Sequence, residues 1–424
     1  MDRPVPALHP LEGLTARRRA PGAGRWPRAI RLLLAAALTV QCLILGGWAI
    51  GWLATTPGSP HAMPPLGEDF RVFWGVSWIT LHQGPLPAFD ANLLNLTEHR
   101  FFPAFHWSGL WLYPPPFQWG ISLLARLPYA VAYGLWSAFG LVAYLLTTRV
   151  WRRDSDWPWL AVMAFPGLWV TLFVGQNSLF TLCLMTMALT YAGTRPVLAG
   201  LCGGLLIVKP QLVLLLPVFW LCGRHYRALV VMTITAAVCC ALAYAKYGWP
   251  LWHAFFAELA LFNAAEVEHD GMHLWSAMVS VFALARAHGA SVSTAYALHC
   301  LVALPMAALA ATLWRQRAPV PLRISAGMLA VLTFPTYLVY YELVWVIVPL
   351  MALSCLRMPG APWERIGDAI SLIVACLPLV AFLGIFVPVL RVFSVWPWLI
   401  GLVIWRVLQW RRAHNDTQFA TLPA

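Results

Sequence analysis

Charge is what this chain lacks. Only 10% of its 424 residues are charged and 61% are hydrophobic, whereas soluble domains carry about 25% charged residues. Together with a mean hydropathy of +0.71, this excludes a water-soluble globule and leaves an all-α polytopic membrane protein. Lysine is almost missing, with Lys209 and Lys246 the two examples. The net charge of +12 is therefore carried by arginine, in short clusters between apolar runs that set topology and give no footprint for nucleic acid. No nucleic-acid partner is expected. The nine cysteines lie mostly inside apolar runs without Cys-x-x-Cys spacing, which excludes a disulfide framework and a zinc site. No internal repeat is present, so one mark of a transporter is missing.

Assigning the arginine clusters, among them Arg149–Arg153, Arg224–Arg227 and Arg315–Arg323, to the cytoplasm predicts about twelve transmembrane helices with both termini inside. Three regions follow: a cytoplasmic Arg/Pro-rich tail over residues 1–28, an integral membrane domain over 29–412, and a cytoplasmic tail over 413–424. Ile30–Ala54 is too long for a signal-peptide core and reads as an uncleaved first span. Pro196–Cys222 is too short for two plain spans and is broken at Lys209-Pro210, predicting a turn inside a protein-lined cavity. The first outer loop, residues 55–116, contains Phe70–Ile79 with apolar residues at helical spacing, the pattern of an interfacial amphipathic helix. Ala91–Phe105 repeats that pattern more weakly. A lid resting on the membrane over a lateral opening would fit both.

The polar residues that remain fall on one side of this map. Asp69, beside Phe70, Phe73 and Trp74, is a candidate general base, because partial desolvation raises a carboxylate pKa. Capping of the following helix by Glu68 and Asp69 is the competing reading. Glu68 points away from Asp69 if residues 67–74 open a helix. Gln176 and Asn177 offer amides for sugar hydroxyls, or form a plain polar hairpin. Lys209 interrupts an apolar run, where a charge calls for a cavity and an anionic partner such as phosphate. Tyr113, Gln211, His269, Asp270, His273 and Glu342 complete the candidate substrate-binding set. The His269, Asp270 and His273 loop has no spacing that would fix a metal, and Glu342 has the alternative of a helix N-terminal acid.

In order, Asp69-Phe70 with Phe73-Trp74, Gly84, Tyr113-Pro114-Pro115, Gly175-Gln176-Asn177, Lys209-Pro210-Gln211 and Pro335–Glu342 resemble glycosyltransferase family 87. The resemblance implies a GT-C-fold membrane enzyme of the cell membrane, with its site facing the periplasm or exterior. It further implies transfer of a hexose, mannose by family default, from a polyprenyl-phosphate donor to a lipid-linked or glycan acceptor. The family's proposed aspartate base maps onto Asp69. This chain has Tyr341-Glu342 where the family often has Tyr-Asp, which moves that carboxylate by one methylene.

One base and one cation are enough for direct displacement at an anomeric carbon with inversion. A multi-pass transporter or flippase of a lipid-linked sugar is the alternative function, and a non-catalytic scaffold a third. No cofactor is expected, since a monophosphate leaving group carries less charge than a diphosphate and a lysine suffices for it. Transfer activity is therefore expected to persist in EDTA. Loss in EDTA with recovery on adding manganese would count against this scheme.

Overall fold

The computed structural model describes residues 26–55, 63–103, 109–152, 154–155, 157–271, 273–356, 364–392 and 394–419. The N-terminal tail expected over 1–28 lies, as far as residue 25, outside the described residues. Helices and short 3-10 turns account for the regular structure, and among the described residues the one β contact is an isolated bridge between Met278 and Val339. Six helices are long and apolar enough to cross a membrane, and six shorter apolar segments accompany them.

Helix α1 (Arg28–Ala54) is peripheral, with no fully buried residue. The first loop then folds into a compact unit of α2 (Glu68–His82), α3 (Ala91–Phe101) and α4 (Pro115–Ile121). Its core is aromatic: Phe70, Phe73, Trp74, Phe102, Trp111 and Phe117 are all buried. Phe73 meets the rings of Tyr113 and Phe117 at centroid distances of 5.3 Å each.

Here the structure departs from the sequence expectation. Helix α2 is enclosed on nearly all sides, burying Phe70, Arg71, Phe73, Trp74, Val76, Ser77 and Ile79, so it is a core helix and not a lid lying on a surface. The reason lies in the intervening polar residues, which find partners inside the unit. Arg71 pairs with Glu98 of α3 at 3.6 Å, and Glu98 also accepts a hydrogen bond from the Gly109 amide at 3.1 Å. With Arg71 neutralised, every face of α2 can pack.

The main body follows. α5 (Tyr129–Arg152) leads into the short α6 (Trp159–Met163) and α7 (Pro166–Val174), and α8 (Ser178–Tyr191) runs back. α9 (Pro196–Leu205) stops at a 3-10 turn before Lys209, and α10 (Pro210–Val213) and α11 (Leu216–Cys222) resume beyond it, as the interruption at Lys209-Pro210 predicts. Proline at the first position of α10 lacks the donor needed to continue α9.

α12 (Tyr226–Phe262) is broken at Gly248, whose φ of 73° and ψ of −179° are not helical, two residues before Pro250. α13 (Val281–Ala287), α14 (Val292–Arg315) and α15 (Val320–Thr333) precede a buried 3-10 turn, Tyr340–Val346, that feeds α16 (Ile347–Ser354). α17 (Glu364–Leu383) and α18 (Trp396–Phe419) close the chain, α18 extending into the expected 413–424 tail. The largest core cluster joins α7, α8, α15, α16 and α18 around Trp220, Trp314 and Trp345.

α17 and α18 are joined by a two-pronged ion pair in which Arg406 donates to both oxygens of Glu364, at 2.7 Å each. Both side chains are buried. Removing one partner strands the other charge, so Glu364→Ala is expected to cost about 3–5 kcal/mol. A Glu364→Leu, Arg406→Met double replacement should cost less. Thermal unfolding of the three proteins checks this, and equal melting temperatures would show that the pair contributes nothing.

Candidate active site

The site starts from two glycine turns held against one aromatic helix face. Gly67 precedes α2 with φ 85°, and Gly175 ends α7 with φ 77°, a left-handed conformation that glycine adopts without strain. They are also in contact: a Cβ on Gly175 would stand 2.6 Å from Phe70 Cβ and 3.0 Å from Gly67 Cα. Three side chains at helical spacing on α5 fasten the turns. Tyr129 Oη lies 2.7 and 2.8 Å from the Leu66 and Gly67 carbonyls, Tyr133 donates to Leu172 O at 2.6 Å, and Trp136 Nε1 donates to Gly175 O at 3.0 Å. Sequence reasoning missed this rack. Its signal was three hydrogen-bonding aromatics on one face of an apolar span.

With the turns fixed, Asp69 and Gln176 meet. Gln176 Nε2 donates to Asp69 Oδ2 at 2.9 Å, while Gln176 Oε1 accepts from Tyr113 Oη at 3.0 Å, from the Asn177 amide at 2.9 Å and from Lys209 Nζ at 3.4 Å. Because Tyr113 and Lys209 both donate to the oxygen, the amide must turn its NH₂ to Asp69. Lys209, buried, also forms an ion pair with Glu342, and its Nζ stands 5.8 and 5.4 Å from the Tyr113 and Tyr341 ring centroids. Asp69, Tyr113, Gln176, Lys209 and Glu342, far apart in sequence, thus form one connected polar group.

Asp69 belongs to none of the membrane-crossing helices, and it does not cap α2, whose N-cap is Gly67 without a side-chain cap bond. Burial pushes its carboxyl up from the usual carboxylate range to about 7. The Glu68 charge adds to the rise, while the Gln176 hydrogen bond and the charges of Lys209 and Arg71 oppose it. Burial likewise raises Glu68.

Asp69, Tyr113, Gln176, Lys209, Gln211 and Glu342 line one cavity of about 1600 Å³. Glu68 lines it too, contrary to the expectation that it points elsewhere, because the first turn of α2 presents both carboxylates to the same space. Ile44 of α1, Phe256 and Leu259 of α12, and Leu383 and Phe386 at the end of α17 form apolar stretches of the wall and are also exposed on the protein's outer surface.

The other expected residues are spread out. His273 stands exposed at the rim of the cavity. His269 Nδ1 contacts the Ala264 carbonyl at 2.6 Å, and Asp270 accepts from the Trp275 amide at 2.7 Å; neither lines the cavity. Asn177 is buried at the N-cap position of α8, where its side chain makes no cap hydrogen bond. Among the described residues no three His, Cys, Asp or Glu side chains come together to hold a metal ion.

Two outcomes test this geometry. Replacing Gly175 with alanine is expected to cost about 1–3 kcal/mol in thermal unfolding. Gln176→Leu removes an interaction that favours the ionised carboxylate, so the Asp69 carbonyl infrared band should titrate above about 7 in that variant. An unmoved midpoint would show that Gln176 does not act on Asp69.

The sequence model of glycosyltransferase family 87 matches residues 111–335, more than half of the chain. No curated protein and no solved structure matches. The matched span contains Tyr113, Gln176 and Lys209, while Asp69 and Glu342 flank it in sequence and join it in the folded site. A one-sided cavity in a many-helix apolar chain and this match lead to one conclusion: the chain belongs to glycosyltransferase family 87, and is a membrane glycosyltransferase.

Proposed function

We propose that this glycosyltransferase moves a hexose, mannose by family default, from a polyprenyl-phosphate donor to a lipid-linked or glycan acceptor. Asp69 is the general base and Lys209 receives the donor phosphate. The observation that carries this reading is the Asp69–Gln176–Lys209 connection inside a cavity whose apolar wall reaches the outer surface of α1, α12 and α17. A donor with a polyprenyl tail can then enter sideways while its phosphate and sugar reach the polar group.

The chemistry balances with these residues. Asp69 Oδ2 is held by Gln176, which leaves Oδ1 to take the acceptor hydroxyl proton. The acceptor oxygen attacks the anomeric carbon, the bond from that carbon to the phosphate oxygen breaks, and polyprenyl phosphate leaves with the electron pair. Lys209 has three N–H donors. One serves Glu342 and one Gln176, and the third is available to the leaving phosphate, whose growing charge the ammonium stabilises. Asp69 acting as base on the acceptor, with no carboxylate attacking the sugar itself, gives inversion.

Gln176 is best used as a positioning residue, since its oxygen is fully engaged and one amide hydrogen remains for substrate. Tyr113, Gln211 and the second oxygen of Glu342 supply further contacts to sugar hydroxyls, with His273 at the entrance. His269, Asp270 and Asn177 support the wall from behind. The same reading takes the short apolar helices as further membrane crossings, about twelve in all. It sets this in a GT-C arrangement with the termini on the cytoplasmic side and the cavity outside.

The test is transfer from radiolabelled polyprenyl-phosphate-mannose to membrane lipids by purified protein. Asp69→Asn should lower kcat by about 10²–10⁴-fold, and Lys209→Ala should abolish measurable transfer. In the wild type, kcat/KM should be low where Asp69 is protonated, rise as pH passes about 7, and then level. Equal labelling by all three proteins would remove both residues from the mechanism. Flux of a lipid-linked sugar across liposomes by Asp69→Asn would point to a transporter.

A further inference from the structure

A second concentration of charge lies at the end of the molecule opposite the cavity. α8 starts beside the cavity at Ser178 and ends at Tyr191, α9 runs from Pro196 back toward Lys209, and α15 runs from Val320 toward cavity-lining Phe334. The turns at their other ends, residues 192–195 and 316–319, therefore share the far face, and the turn 223–225 between α11 and α12 joins them there. They also touch. A Cβ on Gly193 would stand 3.4 Å from His225 Cε1, and the His225 ring meets Trp314 edge-on at 5.5 Å. Arg195, Arg224 and Arg317 are exposed on these turns.

Arg323 sits in their midst and is the anomaly. Its guanidinium lies over Trp314, 4.9 Å from the ring centroid, and its Nε is buried with no hydrogen-bond partner. The charge that bears on it is that of Arg317, of the same sign. Residues 157–257 and 271–341 contain no aspartate or glutamate, so the turns and helix ends that build this patch carry no acid. A partly buried guanidinium with like charge beside it requires an anion from elsewhere.

We infer that this patch is a binding site for the phosphate of an anionic phospholipid, with Arg323 and Arg317 as its forks and Trp314 as its floor. Guanidinium suits phosphate because its planar donors engage two oxygens at once. A lipid is favoured over a free ion by the adjoining surface. Leu214, Val218 and Leu221 on α10–α11 and Val230 and Ile234 on α12 are exposed, giving an apolar track along which an acyl chain can lie from the patch.

The experiment uses the full chain purified in detergent, with native mass spectrometry and thermal unfolding. The probes are dioleoyl phosphatidylglycerol, dioleoyl phosphatidylcholine and inorganic phosphate. Phosphatidylglycerol is expected to be retained and to raise the melting temperature, the other two not. Arg323→Gln and Arg317→Gln should each lower phosphatidylglycerol occupancy about tenfold, the loss of one charge-assisted hydrogen bond. Arg126→Gln, an exposed arginine elsewhere, should not.

Unchanged occupancy in both patch variants would overturn the site, and an equal shift with inorganic phosphate would overturn its assignment to lipid. Should Arg323→Gln fail to fold, Arg317→Gln decides, because its side chain is exposed. Binding is read without turnover, so the result stands apart from that of the transfer assay.

Discussion

Asp69 and Gln176 can hydrogen-bond only because the backbones at Gly67 and Gly175 come into van der Waals contact. Any side chain at Gly175 would meet Phe70 Cβ, and the two turns would separate by more than a hydrogen bond tolerates. The rest of the site follows from that approach. The three aromatics of α5 hold the carbonyls around the two glycines, and the amide of Gln176 takes its orientation from Tyr113 and Lys209. Half-buried and beside the Glu68 charge, Asp69 then has its carboxyl raised to about 7. A base with a pKa near working pH is one that is both ionised often enough and basic enough to accept a proton.

The charges inside this chain are few, and each is handled by a specific partner. Arg71 with Glu98, Lys209 with Glu342 and Arg406 with Glu364 are all buried pairs. They occupy three separate places: the first-loop unit, the cavity, and the junction of α17 with α18. Such pairs add little net stability compared with apolar packing, but each holds two elements in one register. At Lys209 the pairing fixes where the side chain points, because Glu342 holds its Nζ inside a mostly apolar cavity. Arg323 is the contrast, a half-buried cation on acid-free helices.

Much of the site could be read from the chain. Lys209 announced itself as one of two lysines in a broken apolar run, and the Gly-Gln-Asn turn and the Glu-Asp pair stood out for the same reason, polarity where the surroundings are apolar. What could not be read was which of these meet. Gln176 looked like a sugar ligand, yet its oxygen is taken up by Tyr113, Asn177 and Lys209. Glu342 read as a candidate substrate contact or a helix-end acid; it does open a 3-10 turn, and it also pairs with a residue 133 positions away. The histidine loop looked as polar as the rest, but His269 and Asp270 bond to nearby backbone while His273 reaches the cavity rim.

Composition and hydropathy by themselves determined that the chain is helical and apolar enough for a membrane, because continuous apolar runs of about 20 residues can satisfy their backbone N–H and C=O groups in a bilayer as helices. The interruption at Lys209-Pro210 was equally local, set by proline's missing donor. Tertiary structure alone decided that α2 is a core helix and not a surface one, since hydrophobic periodicity does not show whether Arg71 will find Glu98 across the unit. It also decided the chemistry of Asp69. A carboxylate's proton affinity depends on how much water and charge surround it, and Gln176 and Lys209 reach Asp69 only in the folded chain.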